Sequence, residues 1–139
     1  MSLQTLFEEG LLKKCVPSEE KAKKSIQTSE NYLKKAKKVF DHRMDDVAIL
    51  LAYSSAFHAS RAILFNEGVA ERSHYAVAEY LKFKHKELGD EILQSFNVYR
   101  KLRHSISYGL DTEVNEKDSF AAIKFAEEIL KKVKKILKK

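Results

Sequence analysis

DDVAILLAYSSAFHASRAILFNEG, residues 45–68, is the stretch that decides the fold. Wound at 3.6 residues per turn, it places Val47, Leu50, Leu51, Ser54, Phe57, Arg61 and Leu64 on one face. Ala48, Ala52, Ala56, Ala59 and Ile63 make a second. A helix apolar on two faces has neighbours on both, so this one is predicted to be central. Its alanines allow a neighbouring helix to come close. Asp45 or Asp46 is the predicted cap and Gly68 the stop.

The flanking segments supply the neighbours. Upstream, Pro17-Ser18-Glu19-Glu20 reads as a helix start, with Ser18 as cap and two glutamates at the positive end of the helix dipole. Ala22, Ile26, Ser29, Leu33, Ala36 and Phe40 then recur at steps of four and three, a narrow helical seam. Residues 3–12 read as a short amphipathic helix ending near Gly10, anchored by Leu3, Leu6 and Leu11 or Leu12. Downstream, Ser73 caps a shorter helix to about Lys86, anchored by Val77, Tyr80 and Leu81. Gly89-Asp90 opens another, with Ile92, Phe96, Tyr99 and Arg103 at helical spacing, ending at Ser107-Tyr108-Gly109. A polar loop from Leu110 to Lys117 follows. Asp118 or Ser119 caps a last helix with the seam Ala122, Phe125, Ala126, Ile129, Val133 and Ile136. The predicted fold is all-α: an up-and-down bundle of four to five helices plus a short N-terminal helix, one domain over residues 1–139.

Composition agrees. The chain has 139 residues, 44% of them hydrophobic, enough for one core but not for two. One Pro and four Gly leave too few turns for an all-β chain. The one cysteine, Cys15, excludes an internal disulfide and a cysteine-based zinc or iron–sulfur site within one chain, and points to a reducing cytoplasm. Met1 to Gly10 carries Glu8 and Glu9 and does not read as a signal peptide. Apolar runs such as Ala48 to Tyr53 are too short to span a bilayer, so no membrane is expected. The net charge of +6 suits a polyanionic partner. Much of the excess sits at Lys131, Lys132, Lys134, Lys135, Lys138 and Lys139, where a solvated helix end complementing the helix dipole is the preferred reading.

Few residues carry chemistry. Glu71-Arg72-Ser73-His74 is one Glu-x-x-His pair, whereas a dinuclear bundle site needs two, so no metal and no cofactor is expected. His42 and His85 have charged neighbours and are predicted to be exposed. His58 and Arg61 are predicted to be polar groups of the core, with Arg61 bonded to a carboxylate or a carbonyl. The densest constellation is Tyr99, Arg100, Arg103, His104, Ser107 and Tyr108. Arg100 and His104 are four apart, as are Arg103 and Ser107, so each pair shares a helix face. A guanidinium beside an imidazole suits a phosphate: Arg stabilises charge and His moves a proton. Because RNA carries its own nucleophile, such a pair could cleave it without metal. A basic helix end with Arg and His facing the last carbonyls is the plainer alternative.

The sequence resembles the HEPN family (higher eukaryotes and prokaryotes nucleotide-binding) in its small stand-alone prokaryotic form. Ala52-Tyr53-Ser54-Ser55-Ala56-Phe57-His58-Ala59-Ser60-Arg61-Ala62-Ile63-Leu64 is similar to the family's AYYAMFHAARALL-type helix. Ser73-His74 follows. Tyr99-Arg100-Lys101-Leu102-Arg103-His104-Ser105-Ile106-Ser107-Tyr108-Gly109 resembles its LRxxADYG-type ending. Gly10, Leu11 and the segment from Pro17 to Ala22 also fit.

The resemblance implies a helical bundle that dimerises with its motif near the interface. It implies either metal-independent RNase activity or pairing with a small nucleotidyltransferase, often as the toxin of a toxin–antitoxin module. The family's RNase signature separates an Arg and a His by four to six residues. Here three residues separate Arg100 from His104, and Arg103 matches the motif arginine best. Ser107 and Tyr108 stand where an acid or His would. The expectation is therefore a non-catalytic protein that binds a nucleotide or nucleic acid through Arg100, Arg103, His104, Ser107 and Tyr108, as a homodimer and with a nucleotidyltransferase partner. An RNase using Arg100 or Arg103 with His104, and a helical scaffold, are the alternatives.

Overall fold

The computed structural model describes residues 2–109 and 112–138. Leu110, at the start of the expected polar loop, and Lys139, in the lysine-rich end, lie outside the described residues, as do Met1 and Asp111. The order of elements is α1 (Leu3–Glu8), β1 (Leu12–Lys14), α2 (Glu19–Asp41), α3 (Asp45–Glu67), β2 (Val69–Glu71), α4 (His74–Lys84), a 3-10 turn (Lys86–Leu88), α5 (Asp90–Ser107) and α6 (Glu116–Leu137). The fold is an all-α helical bundle with one very small sheet.

As its two apolar faces require, α3 is the central helix. Ala48, Ala52, Ala56, Ala59 and Ile63 are fully buried. Ile49, Tyr53, Ser55 and Ser60 are buried as well, while Val47, Leu50, Leu51 and Ser54 are only half-buried. By length and composition α3 could cross a bilayer, with a mean hydropathy of 1.4, but 67% of that window is buried inside the bundle. Counting unbroken apolar runs misses it, because serines interrupt the helix without lowering its mean much.

Serine chemistry closes the α2–α3 contact. Ser29 donates to the Ser55 carbonyl at 2.7 Å, and Ser55 donates back to the Ser29 carbonyl at 2.8 Å. Ser25 donates to the His58 carbonyl at 2.7 Å. Small side chains let the two backbones approach until each hydroxyl reaches across, so no buried hydroxyl of this set is left without a partner. The seam of α6 behaves as read, with Ala122, Phe125, Ala126, Ile129 and Val133 buried.

Helix starts differ from expectation at two places. α3 is preceded by Met44, which makes no side-chain cap; Asp45 and Asp46 sit in the first turn instead, and Asp45 accepts from Ser119 at 2.8 Å. α6 begins before Asp118 or Ser119: Asn115 is its cap, and Asp118 bonds back to the Asn115 N–H, forming a capping box. Ser18 and Ser73 cap α2 and α4 as read.

The N-terminal segment is the larger correction. α1 stops at Glu8, and Leu12 lies in a strand, 1% exposed. β1 pairs antiparallel with β2, Leu12 opposite Glu71 and Lys14 opposite Val69. Three-residue strands give too short an alternation to be recognised; their pairing is made by the return of the chain at the end of α3. Gly68, in the left-handed region at φ 77°, makes that return possible, and its carbonyl accepts from Cys15.

Arg61 is held as its position on α3 implied. Its Nε donates to Glu71 Oε1 at 2.9 Å, and its guanidinium lies over the Phe65 ring at 4.9 Å. Glu71 is 15% exposed. Arg61→Ala leaves that carboxylate largely buried without its partner and should lower stability by about 1–3 kcal/mol, measured by denaturant unfolding. An unchanged midpoint would show that the pair contributes nothing.

His85 contradicts the expectation of exposure: it is 6% exposed. Its Nε2 lies 2.9 Å from Glu67 Oε1, which also accepts from the Tyr80 hydroxyl at 2.5 Å. Burial alone would lower its pKa, but Glu67 and Glu87 outweigh burial and raise it. Charged sequence neighbours suggested solvent, yet the turn after α4 folds the ring inward onto the end of α3.

Candidate functional site

Two arginines on α5 face the first turn of α4 across an open cleft of about 500 Å³ lined by Ser73, His74, Tyr75, Arg100, Arg103 and His104, with Lys101 and Ser105 beside them. Helical spacing puts Arg100 and Arg103 on adjacent turns of one face. Arg100 Nε donates to Asn97 Oδ1 at 3.2 Å, and its guanidinium lies over the Tyr75 ring at 5.6 Å. Among the described residues, no carboxylate lies within ion-pair distance of Arg100 or Arg103, whereas Arg43 and Arg61 each have one.

The opposite wall is built by capping. The Ser73 side chain accepts from the Ala76 N–H at 3.0 Å, which starts α4 with His74 in its first turn. The positive end of α4 therefore points at the cleft. The His74 ring lies on Phe57, with centroids 3.9 Å apart and planes 15° from parallel. Its Nδ1 is 2.8 Å from the Tyr53 hydroxyl. Burial, then the charges of Arg103 and Arg100, push its pKa down to about 4. It is neutral at pH 7. Burial likewise pushes the Tyr53 hydroxyl up, so it stays protonated.

Of the five expected site residues, Arg100, Arg103 and His104 line the cleft, and Ser107 and Tyr108 do not. Tyr108 follows the last turn of α5, is 69% exposed, and its ring leans on His104 at 4.5 Å. His104 is exposed at the rim. Tyr99 turns the other way and stacks on Phe125 in the bundle, at 5.0 Å. The exposed apolar side chains of α5 and its end are Val98 and Tyr108.

Site reasoning from spacing missed His74, Tyr53 and Tyr75. The Ser73 cap places His74 at a helix start, and Ser73-His74 and the helix carrying Tyr53 are among the segments that resemble the family, but nothing local tells which helix faces His74. Among the described residues, no three His, Cys, Asp or Glu side chains are grouped to hold a metal, and Glu71 of the Glu-x-x-His pair is taken by Arg61. His58 is half-buried and stacked on Tyr32 at 5.4 Å, with its pKa lowered by burial and by Arg61.

Two comparisons with known proteins bear on the site. The family model of the HEPN domain matches residues 22–136. A UPF0332 protein from Archaeoglobus fulgidus is 27% identical over 116 residues, which cover 82% of this chain and 93% of that protein.

Proposed function

The chain belongs to the HEPN domain family, and from that membership we propose that the cleft between α4 and α5 binds phosphate groups of a nucleotide or of RNA. The observation that carries this reading is the pair Arg100 and Arg103, lining one cleft with the start of α4 and unpaired by any carboxylate among the described residues. Guanidinium groups held without a partner anion are suited to take one from outside. His74 adds a ring nitrogen, and the helix start adds backbone N–H groups.

Binding is favoured over cleavage. His104 lies at the rim and leans on Tyr108, away from a fixed position between the two arginines and a reacting hydroxyl. A nucleotidyltransferase partner in a toxin–antitoxin type module fits this reading, because such a partner handles nucleotides itself. We also propose a homodimer through α5. Val98 on α5 and Tyr108 at its end, 59% and 69% exposed, offer apolar contacts. Sedimentation at tens of micromolar, about the range that captures a micromolar association, should show a dimer that Val98→Asp weakens; a monomer throughout would refute it.

The test of the site is fluorescence anisotropy with a labelled ten-nucleotide RNA at two salt concentrations. The rival locus is the basic end of α6, so Arg103→Ala is compared with Lys131→Ala/Lys135→Ala. Loss in Arg103→Ala and retention in the lysine variant supports the cleft. The opposite pattern moves the polyanion site to α6. Metal-free cleavage of the same RNA, abolished in His104→Ala, would establish the RNase reading instead.

A further inference from the structure

We infer that His74, rather than His104, is the histidine that answers a phosphate bound in this cleft, and that Tyr53 is the positioning residue that aims it. The inference rests on the phosphate-binding reading of the cleft and adds a proton to it: binding an anion there draws a proton onto His74.

Geometry carries the argument. Tyr53 is 1% exposed in the middle of α3, with its ring tilted against Phe96 at 5.6 Å. A hydroxyl so deep in hydrocarbon must find a partner, and it finds His74 Nδ1 at 2.8 Å. Phe57 supports the imidazole from below, ring stacked on ring. One ring nitrogen is thus engaged toward the core, and turning the ring would break either the stack on Phe57 or the bond to Tyr53. Nε2 is the nitrogen left for the cleft that His74 lines. With the Tyr53 hydroxyl donating to Nδ1, Nε2 carries the proton and offers a neutral donor. His104 has no such support: it is exposed, and its ring leans on the exposed Tyr108.

The charges around the ring give the sign. From α3 it meets Tyr53, His58 and Arg61, and from α5 Arg100 and Arg103, with Lys101 and His104 lining the same cleft and Tyr75 next to it on its own helix. Glu71 on β2 offsets Arg61, at 2.9 Å. Arg100 and Arg103 have no such carboxylate among the described residues, so an imidazolium in the empty cleft would stand among cations. A phosphate between the arginines reverses that field. His74 then binds a proton more tightly in the complex than in the free protein: the proton goes onto Nδ1, which turns from acceptor to donor toward the Tyr53 oxygen, while Nε2–H stays on the phosphate. By linkage, affinity rises as pH falls through the complex's value. A nearby opposite charge shifts a pKa by about 1–3 units. A rise of about 2 from the low value of the free protein corresponds to binding about tenfold tighter at pH 5 than at pH 8.

Long-range 1H–15N spectra of the imidazoles, recorded from pH 4 to 8 with and without a ten-nucleotide oligouridylate, test this directly. That probe's phosphodiesters do not titrate in the range. The expected result is His74 as the Nε2–H form at neutral pH, and a titration midpoint that moves up on adding RNA. In anisotropy at constant ionic strength, wild type gains about tenfold between pH 8 and pH 5, and His74→Asn is flat. Tyr53→Phe mixes the two ring forms and blunts the gain while melting cooperatively. A midpoint of His74 that RNA leaves unmoved, or a rise confined to His104 or His58, overturns the inference. Failure of the underlying reading looks different: Arg103→Ala then binds as wild type does. RNA that fails to bind wild type at all counts against both.

Discussion

Gly68→Ala should lower stability by about 3 kcal/mol or more, with a fall in melting temperature on the order of 10 °C. Two costs add. Gly68 ends α3 at φ 77°, where a side chain disfavours the backbone by about 1–2 kcal/mol. The second cost is steric: a Cβ there would lie 2.6 Å from the Cys15 carbonyl oxygen and 2.9 Å from Pro17 Cγ. The first of these is backbone, pinned by the hydrogen bond from the Cys15 N–H to the Gly68 carbonyl and by the Ser18 N–H bonded to Phe65. Relief therefore means moving the segment that joins β1 to α2. Gly109 supplies the control. Its φ is 62°, but among the described residues nothing lies within 4 Å of where its Cβ would be. Gly109→Ala should cost only the conformational part, about 1–2 kcal/mol. Equal losses in the two variants would show that the close approach at Gly68 has no energetic weight.

Arg100→Ala/Arg103→Ala should weaken RNA binding by about a hundredfold or more at low salt. A hydrogen bond to a charged group contributes about 1.5–3 kcal/mol, or roughly ten- to a hundredfold, and two such groups are removed. The pair shares one ligand, so the double variant need not equal the product of the single ones. The salt dependence should also flatten, by about one unit of slope for each phosphate that is no longer neutralised. Neither side chain pairs with a carboxylate among the described residues, and both lie on an open cleft. The double variant should accordingly melt close to wild type. A large loss of stability would mean that the arginines hold α4 and α5 together rather than a ligand; unchanged binding would remove the cleft as the site.

The sequence by itself determined the helices and the central place of α3. Its alanine face is fully buried and its second apolar face mostly half-buried, so it has neighbours on both, and Ser18, Ser73 and Gly68 mark ends by local chemistry that depends on few neighbours. Arg100, Arg103 and His104 were legible for the same reason: residues three and four apart on one helix are neighbours whatever else the chain does. The partner across the cleft was not. His74 stands 26 residues before Arg100, on another helix, and it reaches the cleft because β2 pairs with β1 and delivers the chain to the start of α4 at that spot. Tyr53 was visible as a core residue but not as the hydrogen-bond partner of a cleft histidine, since that bond exists only once α4 lies over α3. His85 shows the same limit from the other side: charged neighbours in sequence implied solvent, and folding set Glu67 and Tyr80 around it. Local periodicity and capping are short-range and can be read along one chain. The cleft is an encounter between helices, and only tertiary packing decides which faces meet.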